Sequence, residues 1–136
     1  MNTVLCDTDV IIELLLNNTL VAEKILAIGY NNIAITPVTL AEIQVGEPNK
    51  ISLNKTMKKL SAISVIPLDA AISIRFTNLF EKYCLSHHPS IPDMLIASTA
   101  ISYEIELFTL NLKDYKFIHG LKLLKHSIKP LKKKSF

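Results

Sequence analysis

No run of the chain approaches the ~20 apolar residues that a membrane-spanning helix needs. A membrane protein is therefore not expected, although 49% of the 136 residues are hydrophobic. Cysteine is scarce. Cys6 and Cys84 are the only two, both lie in apolar stretches, and neither belongs to a pattern with metal-ligand spacing. That argues against a disulfide framework or a thiolate metal site and for reduced core thiols of a cytoplasmic protein. The N-terminus lacks a cationic segment, and Asp7, Asp9 and Glu13 interrupt its apolar run, so a signal peptide is not expected. Repeats, linkers and low-complexity segments are absent apart from a lysine-rich end. The remaining composition is that of one globular domain with a sizeable core.

Charge is unevenly spread. The formal net charge is +3, yet from Lys113 onward there are eight lysines and one acid, Asp114, leaving seven basic and eleven acidic residues before it. The body is acidic and the end basic. We divide the chain accordingly into a domain over residues 1–126 and a basic tail over 127–136. A solvated, solubilising end is the common reason for such a tail. Contact with a polyanion is the sharper one, because lysines that neutralise phosphates gain from counterion release.

Short apolar segments alternate with helical ones. "TVLC" reads as a buried strand, and Asp7-Thr8-Asp9 as a turn capping a helix over about Val10 to Leu16. A second helix runs to Gly29, "IAIT" is a strand, and Thr36-Pro37 opens a helix ending near Gly46. A polar helix follows over about Leu53 to Ala62, then a strand "SVIPL". Asp69 caps a long amphipathic helix with Ile72, Phe76, Leu79, Phe80 and Tyr83 on one face. "SHHPSIP" reads as a loop, "DMLIASTAISYE" as a buried helix and "IELFTL" as the last strand. A short turn "NLKDYKF" and an apolar segment around Leu121 to Leu124 close the pattern. Such alternation indicates a parallel sheet covered on both faces, with the functional site at the carboxyl ends of the strands.

Acids collect there. Asp7 follows the first strand, Glu42 lies in the helix after the second, and Asp114 comes shortly after the last. Asp93 opens the buried helix that leads into that last strand. Capping explains Asp9 on its own. Thr39-x-x-Glu42 and Ser90-x-x-Asp93 both match a capping box, but Thr36-Pro37 already starts Glu42's helix and leaves Glu42 in its second turn, where no amide is free to cap. Asp7 has no such role: a carboxylate ending a buried strand must find a partner or shift its pKa. No lysine lies near Asp7, Glu42 or Asp93 in sequence. Carboxylates converging to ~4 Å repel by about 4 kcal/mol per pair at an effective dielectric near 20. A divalent cation relieves that repulsion, and an oxygen-only donor set suits Mg²⁺ or Mn²⁺. Such ions support phosphodiester cleavage.

"LCDTDVIIELL", "ITPVTLAEIQVG" and "IPDMLIASTAISYEIELFTLNLKDY", in this order and spacing, resemble the PIN-domain ribonucleases, and within them the VapC toxins of bacterial toxin–antitoxin pairs. The likeness covers Thr3 to about Leu124. It implies a three-layer α/β/α fold around a short-stranded parallel sheet and a magnesium-dependent endoribonuclease. It also implies a homodimer and a small antitoxin that inserts a segment near the acidic site. By the same resemblance Asp7, Glu42 and Asp93 are the catalytic and metal-binding acids. Thr8 and Thr109 fall on hydroxyl positions around the site. The family's fourth acidic position falls on Asn111, a departure that Asp114, three residues on, is placed to compensate. Leu110 replaces a usual basic residue.

"VLCDTDVII" also resembles the nucleophile motif of haloacid-dehalogenase-type phosphatases, with Asp7 attacking phosphorus. Those enzymes need a later acidic pair near a Gly-Asp turn, and the chain has no Gly-Asp dipeptide. A degenerate PIN module that binds RNA or a protein without cutting is the non-enzymatic alternative, resting on Asn111. His87-His88 reads as part of a solvated loop, and His119 and His126 have no partner at a recognisable spacing.

Overall fold

β1 (Val4–Cys6) is three apolar residues long and wholly buried, and everything else in the fold is arranged around it. The structure, a computed structural model, describes residues 2–129. β1 leads directly into α1 (Thr8–Leu15), then α2 (Thr19–Ile28) and β2 (Ile33–Ile35). α3 (Pro37–Val45), α4 (Lys50–Leu60) and β3 (Ser64–Val65) follow, then α5 (Ala70–His87), α6 (Ile91–Ser102) and β4 (Glu106–Phe108). The sheet order is β3-β2-β1-β4, with all three pairings parallel. Chain reversal between β2 and β4 therefore happens at β1, and this switch point opens a crevice at the carboxyl ends of the strands.

Side-chain alternation along the strands divides the core into two layers. Val4, Cys6, Ile33, Ile35 and Phe108 pack with Val10, Ile11, Val21, Ile25 and Ile43 on one face. Leu5, Ala34 and Leu107 pack with Tyr83, Met94, Ile96 and Ala97 on the other. α1 to α4 thus cover one side and α5 with α6 the opposite side, which gives the three-layer α/β/α arrangement expected from the sequence. α6 buries Met94 and the whole run Ile96 to Ala100, as its apolar circumference required. The α5 stripe also goes to the core: Ile72 and Tyr83 are buried, while Phe76, Leu79 and Phe80 pack partly buried against the second layer.

The boundaries differ from the sequence reading where caps decide them. Asp7, not Asp9, is the N-cap of α1, so Thr8 and Asp9 are helical rather than part of the turn. Asn49 caps α4 by accepting from the Ser52 amide at 2.8 Å, which starts that helix ahead of Leu53. Thr36, Asp69 and Ser90 cap α3, α5 and α6 as read from the sequence. α5 continues to His87 and is closed by His88 in the left-handed region at φ 48°, so "SHHPSIP" begins inside a helix. β3 is only two residues long and exposed. Among the described residues, no helix is long and apolar enough to cross a membrane. Part of the expected basic tail, residues 130–136, lies outside the described residues.

A candidate acidic active site at the strand ends

The end of β1 places Asp7 at the centre of the crevice, and parallel pairing with β4 extends through it: the Asp7 amide donates to the Phe108 carbonyl at 2.9 Å. Asp7 as a residue is only 5% exposed. Its Oδ1 accepts from the Thr8 amide at 2.8 Å, and its Oδ2 from the Thr109 hydroxyl at 2.8 Å. Those bonds favour ionisation, but burial and then the Asp9 and Asp93 charges outweigh them and raise the Asp7 pKa well above the carboxylate range. Asp7 thus has hydrogen-bond partners and a shifted pKa together. It has no cationic neighbour among the causes of that shift.

Asp9 reaches across the same gap. Its Oδ2 accepts from the Leu110 amide at 3.1 Å and from the Asn111 side-chain amide at 3.2 Å. Its Oδ1 is buried and finds no hydrogen-bond partner among the described residues. Burial pushes its pKa up to about 6, with the Asp93 and Asp114 charges adding to the rise and backbone amides opposing it. A bare capping role, the reading the sequence favoured for Asp9, is thereby corrected. The carboxylate ties α1 to the end of β4 and leaves one oxygen unsatisfied, an arrangement that costs free energy unless something else binds there.

Asp93 sits in the first turn of α6. Its amide donates to the Ser90 hydroxyl at 3.1 Å, one half of the expected capping box. Its Oδ1 accepts from the Tyr115 hydroxyl at 3.1 Å. Burial raises its pKa, and the Asp114 and Glu42 charges contribute in the same direction. Glu42 is free of capping duty, as its position in α3 predicted. Its Oε1 accepts from the Thr8 hydroxyl at 2.7 Å, while the Thr8 and Thr39 hydroxyls lie 3.0 Å apart. Asp114 is exposed on a short 3-10 turn, Leu112–Asp114, and its charge is felt by both Asp9 and Asp93. Asp7, Glu42, Asp93, Thr8, Thr109, Asn111 and Asp114 therefore gather around one crevice.

Two residues here carried no sequence signal. Tyr115 is fully buried, and its pKa is raised by burial and then by the Asp7 and Asp93 charges. It therefore stays a hydroxyl donor at any physiological pH. His126 accepts from the Ile128 amide through Nδ1 at 3.0 Å, which leaves Nε2–H to donate to the Thr109 carbonyl at 2.7 Å. Its ring meets Phe108 edge-on at 5.1 Å. Both contacts join residues brought together only by the fold, so no local spacing announces them. Cys6 is buried, and burial, then Asp7 and Asp9, push its thiol up to about 12. It is a core thiol, as expected.

Among the described residues, no three Asp, Glu, His or Cys side chains form a ready-made cage for an ion. Each acid is instead held by a protein donor. The donor set nonetheless fits a hard divalent cation. It is made of oxygens alone, its members raise one another's pKa through like charge, and Asp9 offers a buried oxygen without a partner.

Comparison with known proteins identifies the family and the fold. A family model described as the PIN domain matches residues 4–118. Ribonuclease VapC1 of Rickettsia felis is 30% identical over 112 residues, an alignment covering 74% of this chain and 81% of that protein. The toxin–antitoxin complex from Klebsiella pneumoniae contains a chain that is 28% identical, with a TM-score of 0.74, covering 88% of this chain and 95% of its own length. VapBC2 of Rickettsia felis, solved bound to a DNA fragment from its promoter, superposes with a TM-score of 0.80 over 92% of this chain and 99% of its own, at 24% identity. That last likeness bears on the fold alone.

Proposed function

The chain belongs to the PIN-domain family, in its VapC branch, and from that premise we propose that it is a divalent-metal-dependent endoribonuclease, the toxin of a toxin–antitoxin pair. The observation that carries the reading is the strand-end carboxylate Asp7, buried and hydrogen-bonded yet surrounded by like charge from Asp9 and Asp93. A structural carboxylate in that position is expected beside a cation. This one is beside acids.

In this reading Asp7, Glu42 and Asp93 hold Mg²⁺, with Mn²⁺ as a substitute. When bound, the ion supplies electrophilic stabilisation to a phosphodiester and activates water. The chain's own groups keep the ligands in place. The Thr8 amide and the Thr109 hydroxyl fix both oxygens of Asp7, the Thr8 hydroxyl orients Glu42, and Tyr115 orients Asp93. Such supporting bonds set ligand direction and tune affinity. The charge missing at Asn111 is supplied next door by Asp9, whose Oδ2 already engages the Asn111 amide and whose Oδ1 is left over. Asp114 adds negative potential from the rim of the crevice.

RNA is the proposed substrate, supported by the ribonuclease name of the 30% identical relative. A small antitoxin is the proposed partner and a homodimer the proposed assembly, the former supported by the toxin–antitoxin complex that contains the 28% identical chain. The domain over residues 1–126 carries the chemistry, and the basic tail contacts RNA. The deciding experiment incubates the purified chain with end-labelled single-stranded and structured RNAs in Mg²⁺, Mn²⁺ or EDTA, alongside a small phosphate ester. Metal-dependent internal cleavage is expected. RNA binding without cleavage would favour the degenerate module for which Asn111 speaks, and phosphate release from the ester would favour the phosphatase.

A further inference from the structure

At the mouth of the acidic crevice lies a second cleft of about 310 Å³, lined by His87, His88, Pro89, Asp93, Lys113 and Phe117 among others. Its wall is an aromatic stack. The His87 and Phe117 rings lie parallel, 7° apart with centroids at 4.1 Å, and Tyr83 braces both edge-on at 5.7 and 5.1 Å. Tyr83 is itself fixed in the core, and its hydroxyl accepts from the His119 amide at 3.0 Å. His87 is the exposed member of the stack, while Phe117 is half-buried. The cleft shares Asp93 with the acidic site, and Lys113 and Asp114 stand on its other side.

The stack is held in place as well as packed: the Ser86 hydroxyl lies 2.7 Å from His87 Nδ1, so the exposed imidazole is presented in a fixed orientation. His88, left-handed at φ 48°, ends α5 as Asn17 and Glu104 follow α1 and α6, and leaves His87 in the last turn against Phe117. A planar ring held parallel at stacking distance, with a lysine nearby and an acidic reaction centre at one end, has the features of a single-stranded nucleic acid platform.

We propose that the His87–Phe117 stack is a nucleobase-binding subsite, receiving one unpaired base of the RNA strand beside the phosphodiester at the acidic site that Asp93 borders, with Lys113 meeting a neighbouring phosphate. This rests on the ribonuclease reading and adds to it a place where the substrate strand is gripped. It requires the target to be unpaired at that nucleotide. It also makes the subsite tolerant of base identity, since every base presents a π-face.

The test uses the full chain and short single-stranded oligoribonucleotides in Ca²⁺, where binding is read without cleavage. One abasic position is moved along the strand. H87A is expected to weaken binding of the intact strand by about fivefold or more, and H87F to restore it. At one abasic position the wild type should lose the same factor, and H87A should lose nothing further. His87 is exposed, so an unchanged melting temperature in H87A verifies the fold. Wild-type affinity in H87A, or an equal loss against every abasic strand, overturns the subsite while leaving the nuclease reading intact. Failure of the wild type to bind any strand overturns both.

Discussion

The Asn111 side-chain amide donates to Oδ2 of Asp9 at 3.2 Å, across 102 residues of sequence. The pair sets a carboxylate on α1 against a neutral amide just past β4. Exchange variants test this directly. D9N should weaken Mn²⁺ binding at least tenfold by calorimetry, a loss typical of removing a group that holds or supports a metal ligand. N111D should place two carboxylates at hydrogen-bond distance, lowering the metal-free melting temperature by several degrees and enlarging the stabilisation on adding Mn²⁺. The double exchange D9N/N111D should return both values toward wild type. Unaltered metal binding in D9N would remove Asp9 from the site.

Asp7→Asn is expected to cut RNA cleavage by at least two orders of magnitude and to hold or raise metal-free stability. Asparagine caps a helix as well as aspartate does, and it carries no charge to oppose Asp9 and Asp93. Cleavage assays with calorimetric melting on the same preparation give both readings. Wild-type rates would disprove the assignment.

The raised pKa values set the sign of the pH response. Asp7, Asp9 and Asp93 bind protons more tightly folded than unfolded. Stability from these groups is therefore fully present below the ordinary carboxylate pKa and is lost as pH rises through the folded value. For Asp9 that window runs from the ordinary 3.8 to about 6, worth on the order of 3 kcal/mol. Metal-free protein should melt at progressively lower temperature from pH 4 to 7. Mg²⁺ should compensate more at pH 7 than at pH 5, because protonated carboxylates are poor ligands. A metal-free melting temperature that climbs over this range would contradict the assigned shifts.

Thr109→Val deletes the hydroxyl that donates to Asp7 Oδ2 and accepts from the Asn111 amide at 3.1 Å. Two buried bonds go with one oxygen, at a cost of about 1–3 kcal/mol. Cleavage should fall with the loss of Asp7 orientation, and metal affinity should drop with it. Thr109→Ser should restore both. An inactive serine variant would show that the methyl group, not the hydroxyl, is what matters.

Truncation after Ile128 removes Lys129, Lys132, Lys133 and Lys134 and retains Ile128, which packs on the first core layer. Every RNA phosphate that the shortened chain no longer neutralises should reduce the salt slope of single-strand binding by about 0.7. The rate at saturating RNA should stay near wild type. Binding in Ca²⁺ across a salt series measures the slope, and an unchanged slope would assign the tail to solubility alone.

The parallel three-layer fold was legible because apolar strands of three or four residues alternate with helices whose caps, Thr36, Asp69 and Ser90, are written locally. The gathering of Asp7, Glu42 and Asp93 followed from strand-end logic and family spacing together. Asp9 was misread because the decisive partners of its side chain, Leu110 and Asn111, lie 101 and 102 residues away. Tyr115 and His126 looked ordinary for the same reason. A tyrosine in a polar turn reads as surface until the fold shows it buried beneath Asp93.

β1 is an inner strand and pairs with β4 at one end of the sheet order, and the Thr109 hydroxyl that holds Asp7 arrives 102 residues later. During synthesis at about 5–20 residues per second, the first acid waits several seconds for its holder. A nascent chain truncated before β4 has Asp7 at an unpaired strand edge and no crevice. Assembly of the site thus waits for β4, the last strand of the sheet to be made, so the acids of the earlier elements stay apart until the sheet closes around Asp7.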